Sequence, residues 1–514
     1  MLSLLFAYGL TGFLIQQAQT YGLATELAPA NRTPTVWLIQ AALVNLIFSL
    51  VLVVSYRPYF AGLISLALAA IILVVNQAKY KALAEPLVFS DIYLYLQVFT
   101  HPRLFLPFLN LPLAIAATVI GLTLLATALI LEPSLGLPRF SFSLFLVGLI
   151  LGSLAIITQQ AALIKLSFDP HTDIKNLGLF NSLIIYYLQA RQQQHLSQLK
   201  QIIQTESPYT RTTQEPLTQP NLIIIQSESF FDPRPLSTAI KPNLLQYFDA
   251  LKLSALQHGK LTVPAWGANT LRTEYAFLSG INNQKLQYYR FNPYQFLQTD
   301  PSPSLVSYLK NQGYRCVCIH PNHSLFFKRN RVFPLLGFDE FIDIQAFDLK
   351  QTAGPYISDQ AVASKIQALL DAKDDSRPLF IFAITMENHG PLHLESYAEP
   401  DLAELYCTTP PKQHHDLTVY LKHLKNADRM LADLTTYLTT QAKASVLCWY
   451  GDHVPSLPAV YQALNYQDGR SHYLVWSNQN NQAVNTLVQQ HDLSIEQLGT
   501  ELLTLAGVWP PLNP

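Results

Sequence analysis

Hydrophobic and polar positions change their rhythm twice along the chain. Five long apolar stretches, residues 2–15, 35–54, 60–75, 108–131 and 142–157, occupy the first third and predict about five transmembrane helices. The first is short, but it lacks a basic start and a small-residue cleavage site, so it reads as a retained helix rather than a signal peptide; a segment lying on the membrane surface is the alternative. Residues 79–103, with Glu85, Asp91 and several tyrosines, form a polar and aromatic interval that suits a membrane-surface helix or a re-entrant piece. From about 161 to 220 the pattern turns amphipathic and then rich in Gln, Thr and Pro, which predicts a juxtamembrane helix and a linker.

Beyond Asn221 short apolar runs alternate with helical segments, the pattern of an α/β domain. Strands are predicted at 222–226, 315–320, 379–385, 445–450 and 472–476, and the clearest helices at 358–372, 416–440 and 494–506. The expected organisation is a multi-pass α-helical membrane domain (1–160), a juxtamembrane helix and linker (161–220), and a C-terminal α/β domain (221–514).

Composition strengthens the membrane assignment. Half of the 514 residues are hydrophobic and 13% are charged, where a soluble chain carries about a quarter charged residues. A net charge of -1 gives no basic surface for a phosphate backbone, which excludes nucleic acid as a partner. With five spans and a cytoplasmic N-terminus the C-terminal domain lies outside the cytoplasm. The basic residues run against that orientation, since Arg57 and Arg139 fall inside while Arg32, Lys79, Lys81 and Arg103 fall outside. None of the four cysteines forms a CxxC pair; Cys316 and Cys318 share one face of a strand and read as core.

Polar residues just beyond the carboxyl ends of strands are the natural ligand contacts of an open parallel sheet. Here Ser227-Glu228-Ser229, His320-Pro321-Asn322-His323, Glu387-Asn388-His389-Gly390 and Gly451-Asp452-His453 all fall at such positions. Any one of them suits a turn or a helix cap, but together they offer acidic oxygens and imidazole without thiolate, a donor set for Mn²⁺, Zn²⁺ or Mg²⁺. Thr270 follows Gly267-Ala268-Asn269 and begins an apolar-periodic helix, where free N–H groups favour an alkoxide and an incoming phosphate. Read alone, Thr270 is better taken as an N-cap, partly supported by Glu274, which lies one position beyond the capping-box spacing.

Taken together, Gln226-Ser227-Glu228-Ser229-Phe230, Gly267-Ala268-Asn269-Thr270 with Glu274-Tyr275, His320 with Phe327-Lys328-Arg329, Glu387-Asn388-His389-Gly390-Pro391 and Tyr450-Gly451-Asp452-His453 resemble the lipoteichoic acid synthase and phosphoglycerol transferase family of the alkaline phosphatase and sulfatase-like superfamily. The likeness runs in order through residues 221–510. It implies that Glu228, Thr270, Asp452 and His453 hold one divalent cation, Mn²⁺ before Mg²⁺ or Zn²⁺, with Thr270 also the nucleophile. His320, Arg329 and His389 would then line the pocket, binding phosphate oxygens and assisting proton transfer. Phe327 stands where that family has tryptophan, and Asn269 where it has lysine.

The activity implied is transfer of a phosphoglycerol-type group from a membrane phospholipid to an envelope glycan, polymer or lipid acceptor through a phospho-threonine, in a bacterial cell membrane with the catalytic domain outside. A phosphoethanolamine transferase, a sulfatase-like hydrolase and a non-enzymatic glycan-binding membrane protein are the alternatives. The hydrolase lacks support from a Cys-x-Pro-x-Arg nucleophile motif, because threonine stands at that position.

Overall fold

Residues 2–27, 32–92, 111–191, 193–210, 218–297, 300–372, 376–479 and 489–509 are described by the structure, a computed structural model. The chain divides into two compact units, Met1–His195 and Leu196–Pro514. Part of the 79–103 interval, the start of the 108–131 stretch and most of the Thr/Pro/Gln-rich linker lie outside the described residues.

In the first unit four helices are long and apolar enough to cross a membrane: Pro34–Ser55, Pro58–Leu83, Leu111–Leu131 and Arg139–Ala161. Pro34 and Pro58 stand in the first turns of their helices, where a missing N–H costs nothing. The first expected span differs. Leu2–Gly22 is a 21-residue helix, but Gln16, Gln17 and Gln19 dilute its apolar run, so the described residues supply four candidate spans rather than five. The helix Leu111–Leu131 buries none of its residues; apolar side chains turned outward along a whole helix suit lipid and not water. The shorter helices Pro170–Leu177 and Leu179–Ala190 also belong to this unit, because Ile174, Leu179, Phe180 and Leu183 share a core with Ile15, Val44 and Leu73.

The second unit is built on a nine-stranded sheet. Its strands are β1 (Asn221–Ser227), β2 (Gln257–Thr262), β3 (Arg315–Ile319), β4 (Glu340–Ile342), β7 (Leu379–Ile384), β8 (Ser445–Gly451), β9 (Ser471–Ser477), β10 (Gln489–Gln490) and β11 (Leu493–Ser494), while β5 (Thr352–Ala353) and β6 (Tyr356–Ile357) make a separate hairpin. The order is β10-β2-β9-β8-β1-β7-β3-β4, with β11 also on β2. The centre is parallel, β1 lying between β8 and β7 and β3 following β7. β9 departs from the expected parallel sheet: it runs antiparallel to both β8 and β2.

Strand alternation divides the core. Ile223 and Ile225 enter one apolar layer with the long helix His415–Thr439, while Leu222 and Ile224 enter the other with Phe380 and Phe382. Cys316, Cys318 and Cys448 are free, buried and in this second layer.

Candidate metal centre

Register sets the site. Ser227 of β1 lies opposite Gly451 of β8, so the residues that follow, Glu228 and Asp452-His453, emerge side by side at the same level of the sheet. On the other flank β7 delivers Thr385 to His389, and β3 delivers His320, whose Nδ1–H reaches the Ile384 carbonyl at 3.2 Å. The candidate residues thus stand at the carboxyl ends of four adjacent parallel strands.

Glu228, Asp452 and His453 are buried, each offering a ligand atom within 4.8 Å of the others. His453 Nδ1 donates to the Val454 carbonyl at 3.0 Å, which leaves the Nε2 lone pair facing Asp452 Oδ2 at 3.3 Å, Glu228 Oε1 at 3.6 Å and Thr270 Oγ1 at 3.4 Å. Asp452 Oδ2 is buried without a hydrogen-bond partner, and burial followed by the Asp452 charge pushes the Glu228 carboxyl up to about 8. Three oxygens and one imidazole nitrogen that crowd each other, one with no proton donor, fit a divalent cation of hard to borderline character.

Thr270 is the first residue of the helix Thr270–Ser279. The cap position belongs to Asn269, in left-handed backbone at φ 67, and no side chain caps the helix. The Thr270 hydroxyl therefore faces His453 rather than its own helix, and Glu274 is not part of a capping box. Glu274 instead accepts from Arg329 Nε at 3.1 Å and Nη2 at 2.9 Å, and also from the Tyr294 hydroxyl. Against the cost of burial, this partner holds Arg329 above its ordinary pKa. Arg329 Nη1 lies 3.1 Å from His320 Nε2, and burial together with Arg329 keeps His320 well below its ordinary value, hence neutral. His389 is half-buried, donates from Nδ1 to the Gly390 carbonyl at 2.6 Å, and is lowered by burial while it feels the charges of Asp452 and Arg329.

Two supports are not evident in the sequence pattern. Ser229, at φ 55, donates its N–H to Asp452 Oδ1 at 2.8 Å and its hydroxyl to Glu228 Oε1 at 2.9 Å. His423, from the helix His415–Thr439, sits between Glu387 at 3.1 Å and Glu395 at 3.0 Å, and Asn426 adds a bond to Glu387 at 2.6 Å. Burial opposes charge on His423, but these carboxylates carry it up to about 9, fixing the segment that bears His389. An acidic residue just after a strand hinted at Glu387; its imidazole partner is supplied from a distant helix.

A family model described as Sulfatase matches residues 220–508, and the chain belongs to that family. The fold is accordingly of the alkaline phosphatase and sulfatase-like class behind an α-helical membrane unit. A capsular polysaccharide biosynthesis protein, RkpI of Rhizobium meliloti (strain 1021), is 29% identical over 87% of this chain and 82% of its own. The lipooligosaccharide phosphoethanolamine transferase EptA of Neisseria meningitidis shares the fold across 97% of this chain and 95% of its own, at TM-score 0.58 and 13% identity. The Streptococcus pyogenes phosphoglycerol transferase GacH in complex with sn-glycerol-1-phosphate aligns over 63% of this chain and 89% of its own, at TM-score 0.46 and 22% identity. Membership in this family supports an enzyme, the superfamily uses divalent metal, and the four membrane-capable helices point to the membrane.

Proposed function

We propose that the chain is a membrane-anchored transferase that moves a phosphoglycerol-type group from a phospholipid to an envelope glycan or polymer, with Thr270 as the covalent carrier. The observation that carries this reading is the Thr270 hydroxyl, placed at a helix start and 3.4 Å from the Nε2 of His453 amid two carboxylates. Glu228, Asp452, His453 and Thr270 itself would hold the cation, Mn²⁺ before Mg²⁺ or Zn²⁺. Once bound, the cation lowers the pKa of the hydroxyl and offsets negative charge building on phosphate.

The chemistry runs as two displacements. Thr270 Oγ1 bonds to phosphorus while the bond from phosphorus to the diacylglycerol oxygen breaks, and the hydroxyl proton reaches the departing oxygen through His389. An acceptor hydroxyl then gives its proton to His389 and attacks phosphorus, and Thr270 leaves with that proton. His389 suits this work because its Nδ1 is committed to Gly390 and its lowered pKa keeps it neutral between turnovers. Arg329, pinned by Glu274, presents its remaining guanidinium N–H groups to phosphate oxygens, while neutral His320, its Nδ1–H on the Ile384 carbonyl and its Nε2 accepting from Arg329, lines the pocket and holds that guanidinium in place.

The domain roles follow: the unit Met1–His195, which takes in the first part of the expected 161–220 connector, anchors, and the unit Leu196–Pro514 catalyses outside the cytoplasm of a bacterial cell. A covalent tether to the bilayer keeps the catalyst at the surface that holds its lipid donor. The glycan acceptor rests on the relative named for capsular polysaccharide biosynthesis. Full-length protein in phosphatidylglycerol vesicles, analysed by intact mass, should carry one phosphoglycerol on Thr270. A phosphoethanolamine adduct from phosphatidylethanolamine vesicles instead would reassign the donor, and undiminished turnover in Thr270→Ala would remove the nucleophile.

A further inference from the structure

Inside the membrane unit a second cationic side chain is buried under quite different conditions. Lys79 is enclosed but has two carboxylates, Glu85 at 2.8 Å and Asp91 at 2.7 Å. Among the described residues Arg32 has none: its Nε, Nη1 and Nη2 are all buried and lack hydrogen-bond partners. A guanidinium whose nitrogens are shut off from water with no counter-charge is unfavourable, so the arrangement calls for an anion from outside the chain.

What surrounds Arg32 defines that anion. Gly178, at φ 84, precedes the helix Leu179–Ala190 and has no side chain of its own to cap it. Its backbone comes so near that a Cβ there would lie 2.5 Å from Arg32 Nη2 and 3.0 Å from Gln19 Oε1. Gln19 is fully buried; its Oε1 takes the Phe180 N–H at 3.3 Å, and its Nε2 has no partner. A guanidinium, an unsatisfied amide donor and the positive end of a helix therefore converge with no acidic partner between them. Arg32 also stands just ahead of the membrane-capable helix Pro34–Ser55, with the Trp37 ring, 46% exposed, 5.6 Å from its guanidinium carbon. Arginine and tryptophan together at a span end mark the depth of lipid headgroups.

We propose that Arg32, Gln19 and the start of the helix Leu179–Ala190 bind a phosphate group, supplied by the headgroup of an anionic phospholipid that enters as Trp37 turns aside. This site belongs to the membrane unit and does not depend on the transferase reading.

The test uses delipidated full-length protein in a neutral detergent, with thermal unfolding and native mass spectrometry after addition of phosphatidylglycerol, diacylglycerol or inorganic phosphate. Phosphatidylglycerol should raise the wild-type midpoint by about 4 °C or more and leave a bound lipid, and diacylglycerol should do neither. The shift should vanish in Arg32→Met and in Gln19→Leu yet persist in Thr270→Ala, which separates this site from binding at the catalytic centre. An equal shift from inorganic phosphate, lost in Arg32→Met, would confirm the phosphate site and replace the lipid by a free anion as its source. Without any phosphate, Arg32→Met should unfold at a higher temperature than wild type, because it removes an unpaired charge. A lower midpoint for that variant, or the same lipid response in wild type and both site variants, would overturn the proposal.

Discussion

Arg329 and Arg32 are both guanidinium groups withdrawn from water, but the two units treat them differently. In the catalytic unit Arg329 is clasped along one edge by Glu274, faces His320 with another nitrogen and lies over the Phe327 ring at 5.1 Å. In the membrane unit Arg32 lies by the Trp37 ring, and its guanidinium nitrogens have no hydrogen-bond partner among the described residues. The same contrast runs through the apolar residues. Every position of β1 is buried by its own fold, whereas Leu111–Leu131 leaves all its leucines to the surroundings. One unit completes its interactions internally; the other is finished by the bilayer.

The strongest way to break this comparison is at Thr270. If the catalytic unit's polar cluster exists for chemistry, Thr270→Ala should lower turnover on the order of 10⁴-fold, while metal analysis finds the cation retained on Glu228, Asp452 and His453. Retained turnover would reduce the cluster to a structural knot. Next comes Glu274→Gln, which would give Arg329 the unpaired state of Arg32. Loss of one partner of a buried pair costs about 3–5 kcal/mol, readable as a lower denaturation midpoint, and an unchanged midpoint would show that Arg329 does not need Glu274.

A pH series sharpens the contrast further. The His423 imidazole is raised to about 9 from 6.5 by Glu387 and Glu395, despite burial. Its contribution is therefore complete below about pH 6.5 and disappears as pH climbs through about 9, a loss on the order of 3 kcal/mol. Unfolding curves between those limits should slope downward in wild type and flatten at this step in His423→Gln. The smallest effect is expected at Ser229. Removing a hydroxyl that orients the ligand Glu228 typically weakens metal affinity about 10–100-fold, so Ser229→Ala, which keeps the backbone N–H on Asp452, should need more Mn²⁺ for half-maximal activity with little change at saturation. Loss of activity that no metal concentration restores would give Ser229 a larger part than orientation.

Sequence patterns made much of the catalytic unit legible. The strands 222–226, 315–320, 379–385 and 445–450 coincide closely with β1, β3, β7 and β8, because fully buried parallel strands are written as unbroken apolar runs. β2 escaped: Gln257–Thr262 alternates buried and partly exposed positions and contains Gly259 and Lys260, so it has no such run. The direction of β9 was equally hidden, since periodicity carries no sign. At the site, Glu228, Asp452 and His453 were visible from their places after strands, but the Glu274–Arg329 clasp and the His423 bridge join residues remote in sequence through side-chain geometry alone. In the membrane unit the glutamines of the first helix shortened the expected span to residue 15, although the helix continues to Gly22.

The adjacency of β1 and β8 has a consequence for biogenesis. Ser229 and Asp452, which bond directly, are separated by 223 positions of polypeptide, so the cation pocket cannot close while the ribosome is still short of the later strand. On the proposed reading, a nascent chain already threaded into the bilayer is thereby inert toward its lipid donor until synthesis is nearly complete.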